Sequence, residues 1–149
     1  MTTNLLRVSE AASLALHTAA LLAARGDEIL SAHEIAGELG VSHAHLAKVM
    51  QRLGHVGLVT AVRGPKGGFR LERPPEDVTL LEVYEAIEGP LAPPSCLLGR
   101  KVCIGGNCIL GNLVALVDEQ VRRHLTTTHL SDLAELYGDK HAAQDHSHR

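Results

Sequence analysis

Two short helix signals, joined by a tight turn and followed at once by a glycine-rich hairpin signal, constrain the fold of this chain most strongly. In "SAHEIAGELG", Ser31 and Glu34 have the spacing of a capping box, and Gly40 is placed to end the helix. A second helix begins after Ser42 and carries apolar residues on one face, namely Leu46, Val49, Met50 and Leu53. Two short helices joined by the turn "LGVS" predict a helix-turn-helix.

The segment that follows has the pattern of a hairpin with an open loop. Residues 58–63 have strand character, "GPKGG" is not compatible with regular structure, and a strand resumes from Phe69 to Leu71. A helix-turn-helix followed by such a hairpin is a winged helix. The predicted fold class is therefore mainly α with a small β-hairpin wing.

Further helices are predicted on both sides of this unit. Apolar spacing predicts a first core helix from Ser9 to Ala24, and Thr79 with Glu82 forms a capping box for a helix that ends at Gly89. A long amphipathic helix is predicted from about Ile109, with a stripe formed by Leu110, Leu113, Val114, Val117 and Val121. The stretch "SDLAELY" is expected to add a short capped helix.

The positive charge of the chain is concentrated on the predicted winged helix. Residues 42–73 carry six basic residues against one acidic residue, whereas the whole chain has a net charge of −3. Lys and Arg side chains that neutralise phosphates release counterions, so such a basic module is typical of a protein that binds double-stranded DNA. Winged helices also mediate protein contacts, and the pattern alone leaves that alternative open.

The helix that begins after Ser42 is the predicted reader of base edges in the major groove. Its N-terminal positions are short or polar enough to enter a groove, and they are Ser42, His43, Ala44, His45, Ala47 and Lys48. The hairpin loop is predicted to lie along phosphates or in the minor groove, because its glycines permit close approach and its cations supply charge. This loop consists of Arg63, Gly64, Pro65, Lys66, Gly67 and Gly68.

Composition and motifs argue against several other classes of protein. The Ala- and Leu-rich N-terminus is interrupted by Arg7, Glu10 and His17, so a cytoplasmic protein with no membrane partner is expected. Aromatic residues make up only 2% of the chain, which argues against stacking on single-stranded nucleic acid. The stretch "RGPKGG" precedes a strand rather than a helix, and no catalytic motif is evident, so an enzyme is not predicted.

All three cysteines of the chain lie in one loop, "SCLLGRKVCIGGNC". Cys96, Cys103 and Cys108 are one too many for a disulfide and one too few for a tetrahedral metal site made of cysteine alone. In a reducing cytosol, clustered cysteines indicate metal binding or redox activity rather than a disulfide framework.

The stretch from "SAHEIAGELG" through "VRGPKGGFRL" to "PPEDVTLLEV", with the cysteine loop and the long helix, resembles the IscR/NsrR-type regulators. These form a bacterial winged-helix family built around iron-sulfur clusters. The resemblance covers nearly all of the chain except the C-terminal tail. It implies a homodimeric transcription regulator that binds operator DNA, with the long helix crossing to the partner and the cysteine loop beside the partner's first helix.

The residue patterns and the resemblance together divide the chain into four segments. They are a winged helix-turn-helix with its N-terminal core helix (1–90), a cluster-binding loop (91–108), a dimerisation helix with a short C-terminal helix (109–137), and a disordered tail (138–149). The tail contains His141, His146 and His148, which are interpreted as part of a solvated end.

Thiolates bind iron in [2Fe-2S] and [4Fe-4S] clusters, and a sensor cluster can take a weaker fourth ligand. Relatives place a His three residues after the last cysteine, or an acidic residue on the partner's first helix, but here those positions hold Gly111 and Ser13. Glu10, Ser13 and His17 share one helix face, and one relative with a [2Fe-2S] centre uses a His at the position of His17. The predicted fourth ligand is therefore the partner's His17, with Glu10, Ser13, water or an exogenous molecule as alternatives.

In the predicted mechanism, an intact cluster orders residues 96–108 against the partner's first helix and sets the spacing of the two recognition helices. The signal would be redox state, nitric oxide or iron-sulfur status. The cysteines are separated by six residues and then by four, which differs from the more even family spacing and leaves cluster nuclearity open. A cluster-free thiol sensor, as in some relatives, and a zinc site with His17 are the alternatives.

Overall fold

The computed structural model describes residues 8–91, 102–103 and 108–138, and the order of its elements follows the capping signals of the sequence. Its α-helices are α1 (Glu10–Ala24), α2 (Ala32–Leu39), α3 (His43–His55), α4 (Leu80–Glu88), α5 (Leu113–Thr127), α6 (Leu130–Leu133) and α7 (Glu135–Gly138). The strands are β1 (Val59–Val62) and β2 (Gly68–Leu71), and a 3-10 turn spans Pro75–Asp77. The prediction of a mainly helical winged fold is confirmed.

The predicted helix-turn-helix forms with the predicted caps. The backbone N–H of Glu34 donates to the Ser31 hydroxyl (3.1 Å), and the Glu34 carboxylate accepts from the Ser31 N–H (2.7 Å). Gly40 ends α2 in the left-handed region (φ 65°), which glycine adopts at low cost. Ser42 then caps α3 by accepting from the N–H of His45 (3.2 Å). Local chemistry therefore sets where both helices begin and where α2 ends.

The wing is an antiparallel hairpin that is fastened to the segment before α2. Val59 pairs with Leu71 and Val62 with Gly68 at its two ends. The N–H of Phe69 donates to the Leu30 carbonyl (2.8 Å), and the N–H of Leu30 donates to the Phe69 carbonyl (3.0 Å). Because a Cβ atom at Gly68 would lie 2.2 Å from the Leu30 carbonyl oxygen, this close approach requires glycine.

Helix α1 runs through the centre of the molecule and contacts α2, α3, α4, β2, α6 and α7. The largest aliphatic side chains that are fully buried come from several elements, and they are Leu21, Leu22, Leu30, Ile35, Leu46, Leu53, Val78, Val83 and Leu130. Each buried leucine or isoleucine contributes about 1.5–3 kcal/mol relative to an exposed one. The winged helix and Leu130 of α6 therefore share one continuous aliphatic core, as the low aromatic content requires.

The C-terminal helices differ from the prediction in their bounds. Helix α5 begins at Leu113 rather than near Ile109, because Gly111 adopts a left-handed conformation (φ 59°) that interrupts the helical pattern. After α5 the chain returns to the core, where the N–H of Leu80 donates to the Thr128 carbonyl (2.9 Å). The predicted short helix divides into α6 and α7. The predicted tail, from residue 139 onward, lies outside the described residues.

Candidate functional site

The residues of α3 that the sequence predicts to read DNA are exposed to solvent in the described structure. Ser42, His43, Ala44, His45, Ala47 and Lys48 are all exposed. On the opposite face, Leu46, Val49, Met50 and Leu53 are buried. The same helical periodicity that anchors α3 in the core therefore presents its N-terminal polar residues outward, in the arrangement that a major groove admits.

The wing loop is shaped by its glycines and presents its two cations to solvent. Gly64 has a φ of 116°, and its carbonyl accepts a hydrogen bond from the N–H of Gly67 (2.9 Å). A Cβ atom at Gly67 would lie 2.2 Å from the Val62 carbonyl oxygen, so a side chain does not fit there. Arg63, Gly64, Pro65 and Lys66 are exposed. The turn thus holds two cations at the tip of the wing.

Two of the six basic residues of segment 42–73 make contacts within the chain that stabilise the fold. Arg52 donates to the Ile87 carbonyl (2.7 Å) in the last turn of α4. Arg73 pairs with Glu82 (2.7 Å) and also donates to the Asp77 carbonyl (2.6 Å). The hydrogen bond and the charge of Glu82 raise the pKa of Arg73. Both contacts join residues distant in sequence or across a turn, so the charge pattern alone could not separate them from DNA-binding cations.

The remaining cations of this unit are available to a polyanion. Within the described part of the chain, Lys48, Arg63, Lys66 and Arg70 make no ion pair, and all four are exposed. Lys48 lies on the recognition helix and the other three lie on the wing. The positive surface is therefore smaller than the sequence count suggests, but it is confined to the elements predicted to meet DNA.

His17 is exposed on α1, and its ring is oriented by its own helix. Nδ1 lies 2.6 Å from the Ser13 carbonyl oxygen. Because a carbonyl oxygen only accepts, Nδ1 is the donor in this contact, and in a neutral ring Nε2 then has the lone pair. Metal-binding histidines commonly donate their second nitrogen to a backbone carbonyl in this way. The tautomer of His17 is therefore the one that a ligand through Nε2 requires.

A groove of 690 Å³ joins this face of α1 to the recognition helix. Glu10, Ser13 and His17 line it from α1, while His45 and Lys48 line it from α3. The sequence placed these residues in two separate groups, the cluster-ligand candidates and the DNA-contacting residues. The fold brings them to the two walls of one groove, so a group bound at His17 would lie beside the recognition helix.

Of the cysteine loop, only Val102, Cys103 and Cys108 belong to the described residues, and Cys96 lies outside them. Cys103 and Cys108 are exposed free thiols. Cys108 is held in a turn before α5, where its carbonyl accepts from the N–H of Gly111 (2.8 Å). Among the described residues, no three His, Cys, Asp or Glu side chains converge on one metal position. A complete ligand set would need Cys96, a second subunit, or both.

One histidine near this surface was missed by the sequence reasoning. His33 on α2 lies against the predicted DNA-contacting residue His43, although the two are ten residues apart. Neither helical spacing nor composition signals this pair, because the turn between α2 and α3 brings it together.

In the part of the chain that the structure describes, no helix is long and apolar enough to cross a membrane.

Comparison with known proteins gives a consistent result. The model of the Rrf2 family, described as an iron-dependent transcriptional regulator, matches residues 8–136. The HTH-type transcriptional regulator IscR of Cereibacter sphaeroides is 39% identical over 77 residues, covering 52% of this chain and 50% of that protein. NsrR of Bacillus licheniformis is 30% identical over 119 residues, covering 80% and 76%. The chain thus spans only half the length of the IscR relative.

The fold has close counterparts among solved structures as well. The structure of CymR, the global cysteine regulator of B. subtilis, matches with a TM-score of 0.75 and 26% sequence identity. The match covers 88% of this chain and 98% of that chain. It therefore includes the C-terminal helices as well as the winged helix.

Proposed function

The chain belongs to the Rrf2 family of transcriptional regulators. We propose that it is a homodimer that binds operator DNA and that holds an iron-sulfur cluster as its sensor. The proposed signal is redox state, nitric oxide or iron-sulfur status. The groove between α1 and α3 carries the proposal, because it places the predicted ligand His17 opposite His45 and Lys48 of the recognition helix.

DNA binding is supported by the way α3 and the wing are presented. The polar N-terminus of α3 is exposed, so it can enter a major groove, while Lys48 and the wing cations can neutralise phosphates on either side. Ser42, His43, Ala44 and His45 are the proposed base-reading positions. Arg63, Gly64, Pro65, Lys66 and Gly67 are the proposed backbone-contacting positions on the wing.

The proposed homodimer is supported by the exposed apolar side chains of α5. Leu113 is 48% exposed and Leu116 is 57% exposed, and no residue of this helix is buried within the chain. A second copy that packs against this stripe would bury it and place two recognition helices on one duplex. Half-sites about one helical turn apart, roughly 34–36 Å, are the expected operator geometry.

The donor set fits an iron-sulfur cluster. Cys103 and Cys108 are exposed thiols, and the hydrogen bond to Ser13 leaves Nε2 of His17 free to bind iron. Cys96, Cys103 and Cys108 would hold the group, with His17 of the partner subunit as the fourth ligand. When bound, the group supplies a redox-active and labile centre.

Signal transfer is proposed to run through the groove. Cysteines of one subunit, once joined to His17 of the other, would fix their loop beside that other subunit's α1, and the loop would then lie against the wall that its His45 and Lys48 form. Release of the loop would free α3 to shift relative to its counterpart in the dimer. Because each recognition helix must meet its own major groove, a change in their spacing alters operator affinity.

The first experiment tests the cluster and the DNA separately. Anaerobically purified protein is assayed for iron, sulfide and absorption between about 320 and 460 nm. Duplexes selected from a random library are then titrated with this protein and with Cys96→Ser, Cys103→Ser and Cys108→Ser variants. We expect the variants to lose the absorption and the response of DNA affinity to nitric oxide. Unchanged affinity and response in all three would overturn cluster sensing while leaving DNA binding intact.

The DNA interface is tested by the salt dependence of the same titration. Lys48→Ala and Lys66→Ala should each weaken binding and reduce the slope of log K against log salt by about one. Arg123→Ala is the matched control, because this exposed cation lies on α5 and pairs there with Glu119. Salt-independent binding of the selected duplexes, or none at all, would contradict the proposed interface.

A thiol switch is the second candidate, and the exposure of Cys103 and Cys108 supports it. The chain is also similar in fold to CymR, described as the global cysteine regulator of B. subtilis, over 88% of its length. In this alternative, oxidation would join two thiols in a disulfide, with the two electrons passing to the oxidant. Protein that stays colourless after cluster reconstitution, and whose intact mass falls by two hydrogens on oxidation, would favour this candidate.

A further inference from the structure

Two histidines meet at the junction between the helices of the helix-turn-helix. His33 lies in the first turn of α2, and His43 is the first residue of α3. Nδ1 of His33 and Nε2 of His43 are 3.3 Å apart, and the ring centroids are separated by 5.4 Å. Both side chains are exposed. A solute can therefore reach the two nitrogens directly.

The separation of these nitrogens matches the geometry of a shared metal ligand pair. Zinc binds histidine nitrogen at about 2.0–2.1 Å in tetrahedral sites, so two nitrogens on one ion lie about 3.3–3.4 Å apart. Imidazole nitrogen is a preferred ligand of zinc, nickel and copper ions. The pair is therefore spaced for one such ion, and only rotation of the exposed rings is needed to turn both lone pairs toward it.

The backbone on both sides of the pair is held in place. The capping box of Ser31 and Glu34 fixes the first turn of α2, and the Ser42 hydroxyl fixes the first turn of α3 through the N–H of His45. Fixed helix starts keep the two imidazoles together before any ion binds, which lowers the entropy cost of chelation.

We propose that His33 and His43 form a binding site for a divalent transition-metal ion such as Zn²⁺ or Ni²⁺. Both rings bind as neutral imidazoles, with the proton of His33 on Nε2 and that of His43 on Nδ1. Among the described residues, no third His, Cys, Asp or Glu completes the set, so water occupies the other positions. The ion replaces the N–H···N contact between the rings and ties α2 to α3.

This site is independent of the cysteines and of the proposed sensing function. It uses neither His17 nor the groove. It lies at the start of the recognition helix, where a bound ion would affect DNA contacts. Because His43 is one of the proposed base-reading residues, an ion bound to its Nε2 withdraws that nitrogen from DNA.

Nickel titration of the full-length protein, followed by NMR of the backbone amides, tests the site. Paramagnetic Ni²⁺ broadens signals near its binding position, so the readout separates this pair from the cysteines and from the tail histidines. We expect broadening centred on His33 and His43, and an affinity there about a hundredfold lower in His33→Gln and in His43→Gln, because chelation is lost.

His55→Gln is the matched control, since His55 is also an exposed histidine of α3. It should leave the broadening and the affinity unchanged. All three substituted side chains are exposed, and the amide spectrum of each variant without nickel reports whether its fold is intact. Absence of broadening at the pair in the unsubstituted protein, or persistence of that broadening in His33→Gln, would overturn the proposal. Neither result bears on cluster-dependent DNA binding, which the cysteine variants test.

Discussion

Helices α3 and α5 have similar lengths and both carry an apolar stripe, but the stripe of α3 is fully buried, whereas in α5 the three valines of the stripe are half-buried and Leu113 is exposed. Leu46, Val49, Met50 and Leu53 of α3 are buried against α1 and the hairpin, whereas α5 has no buried residue. Only the C-terminal part of α5 approaches the core, through Leu125. An amphipathic pattern thus specifies that a face will be covered, but it does not specify which surface covers it.

The contrast is between a unit whose apolar faces are buried within one chain and a helix that leaves two leucines exposed. The winged helix has caps at the start of α2, α3 and α4 and a continuous core, so it is stabilised by contacts within one chain. Helix α5 has no side-chain cap and no fully buried residue, and it leaves Leu113 and Leu116 exposed. In the proposed function, a second copy of the chain supplies the missing surface.

The largest expected effect is the loss of packing under α3. Leu46 is fully buried, so Leu46→Ala should lower the free energy of unfolding by about 2–5 kcal/mol, through lost burial and the cavity left behind. Urea denaturation measures the change. The loss should be the same at low and high protein concentration, because the contacts lie within one chain. A loss below about 1 kcal/mol would show that α3 is not anchored in this core.

The apolar stripe of α5 should affect assembly instead. Leu113→Asp would place a carboxylate in the proposed interface and weaken the dimer by about 2 kcal/mol, or roughly thirtyfold in Kd, as measured by sedimentation equilibrium. Ala115→Asp is the control, because Ala115 is exposed and lies two residues further along, on nearly the opposite face of the helix from Leu113. Equal dissociation of both variants, or of neither, would remove α5 from the interface.

The helix caps of α4 and α5 test the same comparison through a smaller change in the free energy of unfolding. The Thr79 hydroxyl accepts from the N–H of Glu82 (3.3 Å), so Thr79→Ala should destabilise the protein by about 1 kcal/mol in thermal or urea denaturation. Asn112 precedes α5 without a side-chain cap, and Asn112→Ala should have less effect. A larger loss for Asn112→Ala than for Thr79→Ala would contradict the view that α4 is locally fixed and α5 is not.

The smallest effect concerns the pH dependence of stability. Burial opposes ionisation of Glu82. This effect is outweighed by the hydrogen bond from Arg73, the hydrogen bond from the Thr79 backbone N–H and the charge of Arg73, which together lower the pKa of Glu82. The ionised form therefore stabilises the fold above the ordinary glutamate pKa, and this contribution is lost as the pH falls through the lowered pKa.

Glu82→Gln should accordingly reduce stability at neutral pH and converge with the unsubstituted protein in acid. Because the Glu82 side chain is 39% exposed, solvent screening limits the difference to less than about 1 kcal/mol. Glu119→Gln is the control on α5, where the pair with Arg123 is 62% and 63% exposed, and its effect should be smaller. Urea denaturation across the acid range measures both, and a difference that grows toward acid pH would contradict the assignment.

Much of the fold could be predicted because its signals are local. The capping boxes at Ser31 and Thr79 and the turn at Gly40 depend on residues within four positions of one another, so the sequence displays them directly. The late start of α5 was missed, because the left-handed conformation of Gly111 overrides a stripe that continues on either side of it.

The candidate site was predictable residue by residue but not as an arrangement. Exposure of the recognition-helix positions followed from helical period, whereas the structural roles of Arg52 and Arg73 did not. The predicted roles of Cys96 and of the tail fall outside the described residues and stay predictions, as does the division of the chain into segments.

By itself, the sequence determined the winged helix, the basic wing and the family resemblance, because capping, periodicity and turn chemistry act over a few residues. Only the tertiary structure decided that His17 and His45 line one groove, that His33 meets His43, and that Leu113 and Leu116 of α5 stay exposed. These are contacts between elements, and their distances depend on how the whole core packs rather than on any local pattern.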